Sequence, residues 1–245
     1  MLLLAGLAAG AVNALAGGGT LITFPAMVAL GVPPVVANLT SAVALCPGYL
    51  GGTLAQRHDL AGQGRRLWIM APAAAVGGVG GAMLLLNSPD RLFIAIVPGL
   101  ILMACVLLSV QPVVRRWSER HNNPDSLQTP LWSLVPVGLA SVYGGYFGAG
   151  LGVMTLAVLA LCVSDTLTRL NAVKQLLSLI INLAATLVFI WSGQVIWSMV
   201  AVIGLGALVG GALGGRLAGR ISPDSLRRLV ITLGASIAVL LWLRG

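Results

Sequence analysis

The sequence predicts an all-α polytopic membrane protein made of two inverted-topology repeats, each a re-entrant helical hairpin followed by three transmembrane helices. Three observations lead there: apolar runs of crossing length along the whole chain, an internal repeat at a constant offset, and an uneven distribution of positive charge among the links. Of the 245 residues, 58% are hydrophobic and 8% charged, against roughly a quarter charged in soluble domains. Runs of about 20 apolar residues are what a bilayer crossing needs, so lipid is the expected solvent. A net charge of +8 on a soluble protein would suggest nucleic acid. Here the bases cluster in short links between apolar runs, where they set topology and face anionic headgroups, and nucleic acid is not an expected partner. Cys46, Cys105 and Cys162 sit singly in apolar runs without metal-ligand spacing, so they read as packing residues, with no metal and no disulfide framework. The first 19 residues have the hydrophobicity of a signal peptide but no basic leading region. A related segment also occurs deep inside the chain, so they read as part of the fold.

The repeat carries an offset of 133 residues. Gly17 and Gly19 match Gly150 and Gly152, Ala16 matches Ala149, and Asn38 matches Asn171. Further on, Gly77 and Gly81 match Gly210 and Gly214, and the Ser88-Pro89-Asp90 turn matches Ser222-Pro223-Asp224 with one residue inserted. Single glycine matches mean little; a constant offset that includes an Asn and a Ser-Pro-Asp turn means a duplication. The first repeat, 1–111, holds a broken apolar segment at 1–32 and crossings near 34–56, 67–86 and 91–111. The second, 130–245, holds a broken segment at 131–163 and crossings near 166–190, 195–217 and 225–243. A basic linker at 112–129, with Arg115, Arg116 and Arg120, joins them.

Positive links are expected inside. Arg57, Arg65 and Arg66 put the first inter-crossing link in the cytoplasm, whereas its counterpart at 191–195 is uncharged and carries Trp191. The link at 88–91 is balanced, whereas its counterpart carries Arg216, Arg220, Arg227 and Arg228. With the basic linker inside and Trp191 outside, the segment 131–163 has to enter and leave on one face. It splits at the glycine-rich stretch 144–152 into arms of roughly 13 and 11 residues, each about half of a ~30 Å core at 1.5 Å per residue. The same logic makes 1–32 a hairpin from the outside, broken at Gly17-Gly18-Gly19, with both chain termini outside. The competing reading is two kinked full crossings and parallel repeats, which leaves one basic link on the wrong side.

Non-helical backbone at membrane depth has to line a cavity or be buried in protein. A helix is expected from Thr20 and another from Val153, and their first N–H groups carry the positive dipole end. Two such ends facing each other at the midplane suit a small anion. The expected ligands are backbone N–H groups at Gly18, Gly19, Thr20, Gly150, Leu151 and Gly152. In 166–190 a polar stripe of Asn171, Lys174, Gln175, Ser178 and Asn182 falls on one helical face, and Asn38, Thr40 and Ser41 are the counterparts in 34–56. Such stripes face protein or water rather than lipid. Lys174 has no carboxylate on its stripe, so it either meets a bound anion or snorkels to the surface beside Arg169. Asn38 and Asn171 either donate to the anion or brace the tips. His58 and His121 fall in polar links and read as solvated. The glycines at 77–81 and 210–215 have small-xxx-small spacing and read as packing surfaces.

The runs 10–25 (GAVNALAGGGTLITFP) and 36–42 (VANLTSA), with 145–152 (GYFGAGLG) in the second half, resemble the TauE/SafE sulfite exporter family. The resemblance covers nearly the whole chain. It implies a bacterial inner-membrane permease for sulfite, organosulfonates or related sulfur anions. Combined with the residues, it predicts a secondary transporter, an exporter by alternating access, with Asn38, Ser41, Asn171 and Lys174 beside the tip amides. The alternative on the same fold is an anion channel or an uptake permease for thiosulfate or other small oxyanions. No enzyme motif (HExxH, GxSxG, P-loop) is present, and no cofactor is expected. The expected partners are the small anion and the bilayer, with pairing to a second copy as a homodimer left open.

Overall fold

The computed structural model describes residues 1–15, 17–121 and 130–217, with scattered positions between 228 and 238. The described residues are helical, without a strand. They form α1 (Leu2–Leu15), α2 (Thr20–Ala29), α3 (Pro34–Ala55), α4 (Gly64–Asn87), α5 (Asp90–His121), α6 (Leu134–Tyr146), α7 (Leu151–Cys162), α8 (Leu167–Trp191) and α9 (Trp197–Leu217). Five of these are long and apolar enough to cross a membrane: α3, α4, α5, α8 and α9. By contrast α1, α2, α6 and α7 have 14, 10, 13 and 12 residues, so each reaches about 15–21 Å of a ~30 Å core.

Local chemistry places most of the boundaries. Pro33 is extended, as a residue before proline has to be, and Pro34 opens α3. Ser88 is likewise extended before Pro89, and Asp90 puts a negative charge in the first turn of α5. Gly193, at φ +69°, ends the turn after α8. One expected boundary is corrected: α5 does not stop near residue 111 but runs on to His121. The run Arg115, Arg116, Glu119 and Arg120 marks where a span leaves lipid, yet these are good helix formers with no glycine among them, so the helix continues into the expected linker. Linker positions 122–129, the link at 218–227 and most of the last expected crossing, 225–243, lie outside the described residues.

Close backbone crossings hold the bundle together. α1 runs parallel to α9, with Gly6 on Ile203, Gly10 on Ala207 and Gly214 on Ala11. α4 runs parallel to α6, with Gly77 on Ser141, Gly78 on Gly145 and Gly81 on Val142. A Cβ on Gly10 would lie 2.2 Å from the Ala207 carbonyl oxygen, and one on Gly81 2.0 Å from that of Val142. Small residues here are thus a steric requirement, which is how helices associate in lipid. α3 and α8 run antiparallel along a polar seam. At one end Asn171 donates to Gln56 Oε1 (2.6 Å). Gln175 then lies over Gly52, the Cys46 thiol meets the Thr186 hydroxyl (3.2 Å), and at the far end the Ile196 N–H donates to Thr40 (3.3 Å).

The burial pattern of α8 is that of a membrane helix. Lys174, Gln175, Ser178 and Asn182 are buried while Leu183, Leu187 and Ile190 are exposed. Val76, Met83 and Leu84 of α4 and Leu205 and Val209 of α9 are exposed in the same way, an apolar exterior that suits lipid.

Candidate functional site

The centre of the molecule is where the two breaks meet. Between α1 and α2, Gly17 takes φ +81° and its N–H donates to Val12 (2.8 Å). The chain then folds back so that Gly19 lies against the Ala9 carbonyl. The side-chain oxygen of Asn13 accepts from the Gly19 N–H (2.7 Å), doing the work of a cap for α2 from six residues upstream. Between α6 and α7, Gly148 and Gly150 take φ +73° and +72°. The Tyr143 hydroxyl donates to the Ala149 carbonyl (2.5 Å), bracing the turn from inside. α7 starts at Leu151, two residues before the expected Val153, because Gly150 already serves as its left-handed cap.

The two tips touch through backbone. A Cβ built on Gly17 would lie 2.6 Å from the Gly152 Cα, and one on Gly152 would lie 2.6 Å from the Gly17 Cα. Thr20 sits beside Gly148. The Phe24 and Phe147 rings meet edge to face at 5.6 Å, with Phe93 on the other side of Phe147. The Asn38 side-chain amide donates to the Tyr146 carbonyl (2.9 Å), tying α3 to the end of α6 across 108 residues.

Lys174 lies beside this contact. It is 0% exposed, so it does not snorkel, and its Cδ packs against Gly152, 3.5 Å from where a Cβ would stand. Among the described residues its ammonium has no hydrogen-bond partner, and the described ion pairs involve other residues. It is also the chain's only lysine. Other buried polar atoms without a partner among the described residues are Thr155 Oγ1, Ser178 Oγ and, over Gly52 in the α3–α8 seam, both amide atoms of Gln175. Ser178 is one helical turn from Lys174 and Thr155 one turn from Gly152, so these pairs share faces of two helices that pack together.

Other expected ligands have different surroundings. Asn171 bonds to Gln56 rather than to either tip. The Ser41 hydroxyl pairs with Thr23, linking α2 to α3. Gly18 faces Leu108, and Gly150 faces Ala104, both on α5. Two of the six tip amides are already used: Gly19 by Asn13 and Leu151 by the Gly148 carbonyl (3.1 Å). Sequence reasoning missed Thr155; its only signal was the three-residue spacing from Gly152.

The family model described as Sulfite exporter TauE/SafE matches residues 2–241. The chain belongs to the TauE/SafE family. It is also similar to a "Probable membrane transporter protein" of Haemophilus influenzae, 27% identical over 227 residues that cover 92% of this chain and 87% of that one. A Sinorhizobium protein, ORF9, carries the same description and is 27% identical over 97% of this chain and 90% of its own. Escherichia coli YfcA, described likewise, is 27% identical over 93% and 83%. As a TauE/SafE member, the chain is a membrane transporter.

At the Gly64 end of this TauE/SafE transporter, a second polar group fastens α7 and α8 to α4. Asp165, in the link between α7 and α8, pairs with Arg66 (2.7 Å) and Arg169 (3.0 Å). It also accepts from the Thr166 N–H (2.8 Å). Gln63 bonds Arg66 and reaches the Arg169 carbonyl (3.2 Å). Burial pushes the Asp165 carboxyl up, but the bonds from Arg66, Thr166 and Arg169 together hold it below the ordinary value of 3.8. A carboxylate with a depressed folded pKa adds stability that is complete above its unfolded pKa and lost as pH falls through the folded one. Asp165→Asn is therefore expected to melt earlier than the parent at pH 6–7, in detergent. The gap should close as the pH is taken below about 4. A gap that stays constant down to pH 3 would show that the charge plays no part.

Proposed function

We propose that this TauE/SafE protein exports a small sulfur oxyanion, of the sulfite or organosulfonate class, by alternating access between two inverted halves. The halves are 1–111 and 130–245, joined by the linker at 112–129, and the short pairs α1–α2 and α6–α7 are re-entrant hairpins. Several contacts support this layout. Each hairpin's first arm lies parallel to the middle crossing of the other half, and the equivalent crossings α3 and α8 run antiparallel. Four helices too short to cross end at two touching breaks. With the Arg57, Arg65, Arg66 and Arg216 end in the cytoplasm, one hairpin opens to each side, the arrangement in which secondary transporters hold substrate near the midplane.

The observation that carries the reading is Lys174. A fully buried ammonium without a partner among the described residues, packed on the glycine where the two tips meet, is costly unless something negative joins it. A pyramidal or tetrahedral oxyanion supplies that charge, and its remaining lone pairs suit donors such as Thr155 and Ser178. Asn38 and Asn171 act as braces, given the bonds they make. The inside-negative potential drives an anion outward at about 2.3 kcal/mol per charge per 100 mV.

Proteoliposomes test this directly. Vesicles loaded with unlabelled sulfite are expected to accumulate labelled sulfite transiently against its gradient, and chloride loading is expected to do nothing. Flux without counterflow would mean a channel, and no flux of any sulfur oxyanion would remove the substrate class.

A further inference from the structure

A pocket of about 460 Å³ lies between the ends of α3 and α9, away from the tips. Gly51, Leu54 and Ala55 of α3 and Leu208 and Ala212 of α9 form its wall, and Arg57, His58 and Arg216 form its rim. Among the described residues no carboxylate lines it. Among the described residues Arg57 and Arg216 make no ion pair. We propose that this pocket holds one anionic phospholipid, with its phosphate between Arg57, His58 and Arg216 and an acyl chain on the Leu54–Leu208 wall.

Two features select an amphiphile over a free anion. The first is the change of chemistry along the pocket. Arg57 stands one residue, Gln56, beyond the end of α3, and Arg216 lies in the last turn of α9. The cations therefore stand where two spans leave the apolar core. Within a turn or two below them, Leu54 is 56% and Leu208 37% exposed. A hydrated phosphate or sulfite gains nothing from that wall, whereas a lipid places its tail and its charge at the two levels where the protein offers partners. The second is the local field. Both helices end here, with carbonyl ends that repel anions, so two arginines have to overcome that field as well as bind. Cations closing the ends of two parallel helices are a structural use of the same residues, and that use predicts no preference between lipids. Basic pockets between spans on the cytoplasmic side suit such headgroups. A lipid in this one would touch α3 and α9 together, elements from the two halves of the chain.

The test uses delipidated full-length protein in detergent. Phosphatidylglycerol, phosphatidylcholine of the same acyl composition, and inorganic phosphate are titrated separately, with bound lipid read by native mass spectrometry and melting by fluorescence. Phosphatidylglycerol is expected to bind one per chain and raise the melting temperature, with phosphatidylcholine and phosphate doing neither. The Arg57→Gln/Arg216→Gln variant should lose its affinity by about thirtyfold, on the order of fivefold for each arginine near a surface phosphate. Arg65→Gln, exposed and outside the pocket, should keep it. Leu54→Ser should weaken phosphatidylglycerol and leave the arginines in place, which separates a lipid from a purely ionic site. Both Arg57 and Arg216 are exposed, so folding of the double variant is expected and is checked by its melting curve. Equal binding of both lipids to the parent, an equal shift with inorganic phosphate, or an unchanged affinity in the double variant would each overturn the proposal.

Discussion

Lys174→Met is expected to abolish sulfite transport and at the same time raise the melting temperature of the anion-free protein. The two effects share one cause. In the parent, an ammonium without a partner among the described residues is held in a fully buried position, and they do not repay its desolvation. A thioether of similar length keeps the packing against Gly152 and removes that cost, so a gain of several degrees is expected. Truncating the charged partner of a buried, charge-assisted contact costs about 2–5 kcal/mol of binding. At about 1.4 kcal/mol per decade that is a loss of roughly thirty- to several-thousandfold in anion affinity. The measurements are counterflow in proteoliposomes and melting in detergent, with and without sulfite. Added sulfite should stabilise the parent and leave Lys174→Met unmoved. As the only lysine, Lys174 also reports alone among side chains in amine acylation, which sulfite is expected to slow. A variant that still transports, or that melts earlier than the parent, would place the anion elsewhere.

Gly152→Ala and Gly17→Ala should each cost a large share of the protein's stability, through the contact between the two tips. One added methyl at Gly152 meets backbone 2.6 Å away, and backbone cannot swing aside as a side-chain end can. At Gly17 the methyl meets Gly152 and also forces a φ of +81° on a residue that disfavours it, worth about 1–2 kcal/mol alone. Overpacking adds about 1–3 kcal/mol, which is a large share of a marginal total. Two controls separate these terms. Gly31 has φ +83° with nothing within 4 Å, so Gly31→Ala tests strain without collision. Gly80 has nothing within 4 Å and ordinary helical φ, so Gly80→Ala tests neither and should be neutral or slightly stabilising. Melting temperatures in detergent should fall in the order Gly80→Ala, Gly31→Ala, then the two tip variants far below. Tip variants that melt with Gly31→Ala would mean that the breaks stand apart.

Five of the six expected crossings and both breaks were readable from hydrophobic run length and from glycines, because lipid leaves few other ways to end a helix. Thr20 opens α2 where expected, and α7 opens within one turn of the expected place. The end of α5 was not readable, since charge marks the membrane boundary and helix propensity decides where the helix stops. Within the site, the polar stripe on α8 pointed to Lys174, Gln175 and Ser178, but pattern alone gave no direction for Asn171. It turns to Gln56 because α3 and α8 are antiparallel there, a fact of packing. The Asn13 cap and the Asp165–Arg66 pair join residues through a fold-back and across 99 positions, and a linear pattern contains neither. Gly52 carries no signal in the sequence pattern; the Gln175 amide lying on it requires the missing side chain.

The packing of α1 on α9 has a consequence for how the protein is made. Gly6 and Gly10 leave the ribosome long before the surface they fit, around Ile203 and Ala207, is synthesised. Translation proceeds from the N-terminus, so α1 waits through most of synthesis without its main neighbour. It is too short to be anchored across the bilayer by itself. The α4–α6 crossing, by contrast, closes soon after the middle of the chain emerges. Assembly is therefore expected to be ordered: α4 and α6 pair before α1 meets α9.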